Sequence, residues 1–343
     1  MSWLTDEPDD PYDDYDEASV RERPNPKANR PRTKIRPEHA DSTDGFVTAV
    51  DRGRYTVVVR DGQADEAIVT AARARELRNQ AIVAGDRVDV VGDTSGDEGT
   101  LARIVRIQPR TTVLRRSADD SDEFERVIVA NADLMLMVVA ARDPEPRPRL
   151  VHRYLVAAYD AGITPILVVT KTDLADPASL LAHFEGLDIE TWRSRSDDPP
   201  AAALRERLDG HVTVAVGHSG VGKSTLVNAL VPDAHRAVGH VNAVTGRGRH
   251  TSSSTQSYRL GTGWVIDTPG VRSFGLGHID VASILKAFPD IQAVSDDCPR
   301  GCTHLADAPD CAIQEAADRG ELDRTRVESV QGLLATLTVE DRW

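Results

Sequence analysis

One stretch of the sequence constrains the fold more than any other. Residues 217–224 read Gly-His-Ser-Gly-Val-Gly-Lys-Ser, a complete match to the pattern G-x-x-x-x-G-K-S, between an apolar run at 212–216 and a helix-like run at 225–230. A strand that turns through glycines into a helix is the setting of a P-loop, whose backbone N–H groups hold phosphates. Lys223 would bring positive charge to the β- and γ-phosphates, and Ser224 would coordinate Mg2+. A glycine-rich turn without function is the alternative. We predict nucleotide contacts from Gly217, His218, Ser219, Gly220, Val221, Gly222, Lys223, Ser224 and Thr225.

A second motif, Asp267-Thr-Pro-Gly270, ends the apolar run at 263–266. An aspartate at the tip of a strand parallel to the P-loop strand can hold Mg2+ through water, and the N–H of Gly270 can reach the γ-phosphate. The same four residues are a common turn when they stand alone. Because they follow the P-loop by about 40 residues and end a buried strand, we predict a magnesium and GTP contact at Asp267 and a GTP contact at Gly270.

A third motif, Thr170-Lys171-Thr172-Asp173, follows the apolar run at 165–169. A carboxylate can accept hydrogen bonds from both the ring N–H and the exocyclic amine of guanine, whereas adenine offers no such pair of donors there. The pattern T-K-x-D alone is weak, because Asn is the usual first residue. Together with the two phosphate motifs, it predicts that Thr170, Lys171, Thr172 and Asp173 select GTP over ATP.

The order of these motifs is unusual, because the base motif precedes the P-loop. A sheet can be cut at one loop and rejoined at another without changing its packing, so the order predicts a circular permutation. The new junction lies between Asp173 and Val212. Within it, Arg193-Ser-Arg-Ser196 is a degenerate candidate for the loop that flanks the base.

A polar stretch at 245–254 lies between the P-loop and Asp267, in the position of a first switch. Thr251 or Ser252 there would complete the Mg2+ shell, and an ordinary basic loop is the alternative. Val271 occupies the position in which Ras-like enzymes carry the glutamine that orients the attacking water. His250 is the best local substitute as a catalytic residue, and a surface or RNA-contacting histidine is the alternative.

The three cysteines all lie within residues 298–311, which is the reverse of a disulfide framework. Three thiolates and an imidazole at short loop spacing suit a tetrahedral structural zinc ion, and unliganded thiols are the alternative. No open coordination position is implied, so the site is expected to be structural and not catalytic. We predict that one zinc ion is held by Cys298, Cys302, His304 and Cys311.

Upstream of these motifs, residues 44–112 contain about five short β-branched runs separated by polar turns, a pattern typical of a small antiparallel barrel of SH3 or OB type. Its arginines form either a nucleic-acid face or a solvated surface. Residues 1–41, an acidic block followed by a basic one, have too few apolar groups to fold and are expected to be a disordered tail or a basic arm on phosphates. The arginines in question are Arg73, Arg75, Arg78, Arg103, Arg106 and Arg110.

The whole chain carries 55 acidic and 41 basic residues, so its net charge of -14 argues against coating nucleic acid by bulk charge. Its longest apolar run, residues 134–141, is far short of the roughly 20 residues of a membrane helix, and its acidic start is unlike a secretory signal. We therefore expect a cytoplasmic protein without a membrane segment, and a monomer.

In their order, the motifs resemble the circularly permuted, ribosome small subunit-dependent GTPase A family. The resemblance covers nearly everything after residue 42: the barrel, TKTD, GHSGVGKST, GRGRHTSSST, DTPGVRSFG and CPRGCTHLADAPDC. Thr170 stands where many members have Asn, and the cysteine spacing differs by one residue on each side of His304. The resemblance implies a late assembly factor of the small ribosomal subunit, in contact with its rRNA, whose GTP hydrolysis the subunit stimulates.

We therefore expect a multidomain α/β protein that binds GTP or GDP, Mg2+ and one structural Zn2+. A P-loop ATPase or small-molecule kinase, and a zinc-dependent RNA-binding module with a vestigial nucleotide site, are the alternatives. The expected parts are a tail at 1–41, an OB-like β-barrel at 42–113, a circularly permuted P-loop GTPase domain at 114–277 and a C-terminal zinc-binding helical module at 278–343.

Overall fold

The structure is a computed structural model that describes residues 39–117, 125–232, 255–268, 274, 276–277 and 279–338. Apart from the first 40 residues, of which two are described, these residues belong to one compact unit. The domain boundaries given above remain predictions.

The first five strands close into the expected OB-type barrel. Their order is β1-β2-β3-β5-β4, with β4 pairing back to β1, and β3 and β5 are the one parallel pair in this ring. Alternate side chains such as Val57, Val69 and Ile104 fill the barrel, as the β-branched runs predict. The strands are β1 (Thr43–Asp51), β2 (Arg54–Val59), β3 (Ala67–Arg73), β4 (Arg87–Val91) and β5 (Ala102–Ile107), with a 3-10 helix at Arg75–Leu77.

Two strands that the sequence pattern did not predict follow the barrel. β6 (Val113–Ser117) and β7 (Glu125–Ala130) form a two-stranded antiparallel sheet, in which Leu114 pairs with Val129. Both side chains are buried, although charged residues dominate the rest of β6. The single buried position in so short a strand leaves no clear alternation to detect.

The second half of the chain contains the predicted buried sheet. Its order is β10-β9-β8-β11-β13-β12, in which the first five strands are parallel and β12 is antiparallel to β13. Every residue of β8, β11 and β13 is buried, because helices cover both faces. The strands are β8 (Leu134–Ala140), β9 (Thr164–Thr170), β10 (Glu190–Arg193), β11 (Val212–Val216), β12 (Gln256–Leu260) and β13 (Gly263–Asp267).

The helices divide between the two faces of this sheet. Leu155 and Leu333 belong to the hydrophobic core on one face, and Leu204 and Leu226 to the core on the other. No helix in the described ranges is long and apolar enough to cross a bilayer. The helices are α1 (Pro148–Asp160), α2 (Ala178–Leu181), a 3-10 helix (Ala182–Leu187), α3 (Ala201–Leu208), α4 (Lys223–Leu230), α5 (Val281–Leu285), α6 (Pro289–Ser295), α7 (Ala312–Asp318) and α8 (Arg324–Thr338).

The barrel joins the α/β sheet edge to edge. Ala49 of β1 pairs with Gln256 of β12, which makes one continuous sheet of eleven strands among the described residues. Arg259 of β12 lies 4.2 Å over the ring of Trp264 and forms ion pairs with Asp61 (2.5 Å) and Glu66 (2.6 Å) of the barrel. These contacts fix the barrel beside the strand that ends at Asp267.

Candidate nucleotide and metal sites

The P-loop residues lie in the turn between β11 and α4. Gly220 and Gly222 have φ angles of +82° and +91°, which favour glycine. A Cβ atom on Gly217 would lie 2.6 Å from the carbonyl oxygen of Val138, so the loop passes too close to β8 for a side chain. The backbone N–H groups of Ser219, Gly220 and Gly222 donate to no acceptor within the described chain. The loop therefore presents free N–H groups at a helix N-terminus, an arrangement suited to phosphate.

Lys223 and Asp267 form a buried ion pair beside this loop. Their side chains are 9% and 10% exposed, and Nζ of Lys223 donates to Oδ1 of Asp267. β11 and β13 are parallel with Ala215 opposite Asp267, and Oγ1 of Thr268 donates to the carbonyl oxygen of Ala215 at 2.7 Å. The sheet therefore holds the carboxylate at the mouth of the P-loop. The side chains of Ser224 and Thr225 are exposed in the first turn of α4.

The base motif contacts the P-loop from the end of β9. Thr170 is buried, and its Oγ1 faces the carbonyl oxygens of Val221 at 2.5 Å and Val139 at 3.2 Å. Nζ of Lys171 donates to the carbonyl oxygen of Gly220 at 2.9 Å and to that of Asp143. Thr170 therefore connects the two motifs in the place of the usual Asn.

Thr172 and Asp173 contact the segment that follows β10. The backbone N–H of Thr172 donates to the carbonyl oxygen of Ser194 at 3.2 Å, and the N–H of Ser196 donates to Oδ1 of Asp173 at 2.8 Å. The hydrogen bond from Ser196 is the main cause that lowers the pKa of Asp173. The structure therefore places the segment 193–196 beside Asp173, whose exposed carboxylate is kept ionised.

These three motifs meet at one edge of the sheet, because β9, β11 and β13 are parallel and each motif follows the carboxyl end of its strand. The described residues of the three predicted motifs therefore lie close together in the structure. His250, Thr251 and Gly270 lie outside the described residues, and their proposed roles stay predictions.

The contact of Lys171 with Asp143 was not expected from the sequence. Asp143 lies between β8 and α1 and contributes its backbone carbonyl oxygen, which any residue could supply. No local pattern marks such a position, so only the packing of β8 beside β9 reveals it.

The predicted metal ligands converge in the loops between α6 and α7. The ligand atoms of Cys298, Cys302, His304 and Cys311 all lie within 4.8 Å of one another. The sulfur of Cys311 is 4.0 Å from that of Cys298 and 3.9 Å from Nδ1 of His304. Sulfur ligands of a tetrahedral zinc ion lie roughly 3.8 Å apart, so the donor set fits zinc closely.

Burial also affects the titration of this cluster. It lowers the pKa of His304, which favours the neutral imidazole that binds metals, and it raises the pKa of the Cys311 thiol to about 11.

The barrel arginines separate into two groups. Arg110 forms an ion pair with the fully buried Asp86 at 2.7 Å, and Arg106 forms one with Asp89 at 3.2 Å. Nη1 of Arg73 donates to the carbonyl oxygen of Gln80 at 2.9 Å, so these three arginines have partners within the chain. By contrast, the side chains of a second group are exposed and pair with no described residue. Two of them, Arg54 of β2 and Arg103 of β5, lie on either side of Ala72 of β3 in one cross-strand row. This second group comprises Arg54, Arg75, Arg78 and Arg103.

An OB-type barrel beside a P-loop sheet in which the guanine motif precedes the phosphate motif defines this chain as a circularly permuted GTPase. Residues 107–277 match the profile of a family described as RsgA GTPase. The chain belongs to the RsgA GTPase family, and it is a GTP-hydrolysing enzyme.

Curated relatives match this chain over most of their length. A protein of Pseudomonas savastanoi pv. phaseolicola named small ribosomal subunit biogenesis GTPase RsgA is 38% identical over 302 residues, which cover 85% of each chain. A protein of the same name from Pseudomonas syringae pv. syringae is 38% identical over 266 residues, 75% of each chain.

Two solved structures share the fold. YjeQ from Thermotoga maritima matches with a TM-score of 0.64 at 24% identity, covering 87% of this chain and 99% of its own. YloQ, described as a circularly permuted GTPase, matches with a TM-score of 0.62 at 24% identity, covering 88% of this chain and 96% of its own.

Proposed function

We propose that this chain binds the small ribosomal subunit and acts in its late assembly, hydrolysing GTP to GDP and phosphate with stimulation by the subunit. The observation that carries the proposal is the meeting of Asp173, Lys223 and Asp267 at one sheet edge, in a chain 38% identical to a protein named for small-subunit biogenesis. The GTPase family supports the hydrolysis of GTP, and the name of the relatives supports the small ribosomal subunit as the partner.

In this proposal, the free N–H groups of the P-loop bind the phosphates and Asp173 reads the guanine. Lys171 joins the two halves of the site, because its ammonium already contacts the carbonyl oxygen of Gly220. The proposed GTP-binding set is Thr170, Lys171, Thr172, Asp173, Gly217, His218, Ser219, Gly220, Val221, Gly222, Lys223, Ser224, Thr225, Asp267 and Gly270.

Mg2+ would be held by Ser224 and Asp267, and Thr251 is the third proposed ligand. The ion pair of the buried Asp267 carboxylate with the Lys223 ammonium supports this role, because the carboxylate already has a positive charge beside it. When bound, Mg2+ would neutralise charge on the β- and γ-phosphates. Lys223 would then turn from Asp267 to the phosphates, which carry the compensating negative charge.

Zinc would be structural in this proposal, because Cys298, Cys302, His304 and Cys311 supply four ligands and complete a tetrahedral shell. Cys311 is 2% exposed and belongs to the same hydrophobic core as Tyr154 of α1. The ion would therefore fix the loops before α7 against the sheet.

The rRNA contact is assigned to the outer face of the barrel. OB-type barrels bind oligonucleotides on the face of strands 2 and 3. Arg54 and Arg103 flank Ala72 of β3 in one cross-strand row, and Arg75 and Arg78 follow β3 in the chain; these exposed side chains would supply positive charge although the whole chain is acidic. We further propose that the protein acts in the cytoplasm as a monomer.

The deciding experiment measures phosphate release from GTP with and without purified small ribosomal subunits. We expect slow turnover alone and strong stimulation by small subunits, with large subunits as the matched control. Lys223→Met should abolish turnover in both settings. Equal stimulation by large subunits would refute the assignment to the small subunit, and displacement of bound GTP by equimolar ATP would favour the ATPase or kinase alternative.

A further inference from the structure

Arg326, near the start of α8, connects three parts of the chain. Its side chain is 20% exposed. Nε and Nη2 donate to the two carboxylate oxygens of Asp290 in α6, at 2.7 and 3.1 Å. Nη1 donates to the carbonyl oxygen of Gly186 at 3.0 Å and to Oδ2 of Asp188 at 2.5 Å. The guanidinium also lies 5.5 Å from the ring centroid of Phe288.

The backbone fits equally closely at this point. A Cβ atom on Gly186 would lie 2.5 Å from the Cα of Arg326, so the 3-10 helix at Ala182–Leu187 lies directly against α8. Asp188, which ends that 3-10 helix, has a left-handed φ of +51°. Arg326 therefore fixes the point at which the chain leaves the helix.

The next element along the chain is β10, which starts at Glu190, two residues after Asp188. β10 lies at the end of the described sheet and pairs only with β9 there. Side-chain contacts hold the start of this strand from two directions: Arg207 pairs with Glu190 at 2.8 Å, and Arg326 pairs with Asp188 at 2.5 Å. The segment after β10 donates the Ser196 N–H to Asp173 at 2.8 Å. Asp188 and Ser196 thus lie at the two ends of one short edge strand.

We infer that Arg326 is a positioning residue for guanine recognition. By anchoring Asp188, it holds β10 in place, and β10 in turn holds Ser196 against the Asp173 carboxylate. The inference rests on the proposed reading of guanine by Asp173. The position of the segment 193–196 would then depend on the packing of the C-terminal helices, because α8 carries Arg326 and α6 carries its partner Asp290.

The test compares Arg326→Gln with Arg326→Lys and with Arg319→Gln as a matched control. Arg319 is a C-terminal arginine whose ion pairs are with Glu315 and Glu321, and its side chain is 53% exposed. The readout is the ratio of affinities for GTP and ITP, because hypoxanthine lacks the exocyclic amine that Asp173 would bind. A general loss of stability would weaken the binding of GTP and ITP alike. A displaced Asp173 would weaken GTP binding more than ITP binding, because hypoxanthine keeps the ring N–H but lacks the amine.

We expect Arg326→Gln to lower the GTP-to-ITP affinity ratio about tenfold, the size of one lost charge-assisted hydrogen bond, and to raise the KM for GTP without changing kcat. Arg326→Lys should restore part of the ratio, and Arg319→Gln should leave it unchanged. Arg326→Lys also serves as the measured variant should Arg326→Gln fail to fold.

Asp173→Ala, measured in parallel, separates the two proposals. An unchanged ratio in Asp173→Ala would overturn the reading of guanine by Asp173. A ratio that falls in Asp173→Ala but equals that of the wild type in the Arg326 variants would overturn the positioning role alone.

Discussion

The Lys223–Asp267 ion pair makes magnesium-free nucleotide binding a competition between a carboxylate and the phosphates. With side chains 9% and 10% exposed, both charges are largely removed from water, so each depends on the other in the nucleotide-free protein. Asp267→Asn keeps the shape and an amide oxygen but removes the negative charge. Lys223 then has no anionic partner until a nucleotide supplies one.

Two opposite effects should result. Removing one partner of a buried pair costs about 3 kcal/mol, which lowers the melting temperature of the nucleotide-free protein by roughly 5 °C. At the same time, GDP without Mg2+ no longer competes with Asp267 for the ammonium, so its affinity should rise about tenfold. The added stabilisation by Mg2+ should be lost, because the carboxylate that we propose as its ligand is gone.

The assay combines thermal unfolding with titration of a fluorescent GDP analogue. Mg2+ should be omitted from the buffer rather than chelated, since a chelator would also attack the cysteine cluster. Asp209→Asn is the matched control, because Asp209 accepts hydrogen bonds from Thr262 in an exposed turn away from the P-loop. If Asp267→Asn matches this control in magnesium-free affinity, the competition described here does not exist.

Three further predictions concern the base, pH and zinc. Asp173→Asn should shift preference from GTP toward XTP in competition binding, because the amide oxygen can keep the Ser196 N–H while the amide nitrogen faces the second carbonyl of xanthine; an equal loss of both nucleotides would contradict it. The half-buried His152, whose buried Nε2 has no hydrogen-bond partner among the described residues, has its pKa lowered to about 4 by burial. Its unfolded pKa is higher, so its contribution to stability is complete above about pH 6.5 and is lost as the pH falls toward 4. The free energy of unfolding in urea should therefore be about 2 kcal/mol lower at pH 5 than at pH 7 through this group, and His152→Leu should remove this loss. The same pH dependence of the unfolding free energy in His152→Leu and in the wild type would show that another group is responsible. Cys302→Ala should release the zinc measured by mass spectrometry and expose the chain after about residue 285 to protease, with weakened but measurable GTP binding, because α4 packs on the other face of the sheet. Thr303→Ala is its control, and proteolysis that begins in the barrel instead would refute the local role of the ion.

The local parts of this protein could be predicted from its residues alone. Glycines at 217, 220 and 222, the lysine beside them and the flanking apolar runs specify a strand, a loop and a helix, because each requirement is met by residues close together in the chain. The barrel strands follow from alternation and turn residues, and the proposed metal ligands from their short spacing. Even the permuted order of the motifs is legible, since permutation changes the connections and leaves each strand-loop unit intact.

Contacts between residues far apart in the chain became visible in the folded structure. Lys223 pairs directly with Asp267, and Arg326 with Asp188, yet no spacing or composition marks these pairs. The segment 193–196 was recognisable only as a degenerate pattern, and the structure supplies its hydrogen bond from Ser196 to Asp173. The same is true of the β1–β12 junction, where Ala49 meets Gln256. Such contacts depend on the order of the strands in the sheet and on the packing of the helices. The local sequence around each residue does not specify them, because many residue types are compatible with the same local structure. The charge of a side chain can be read from the sequence, but its partner depends on the fold.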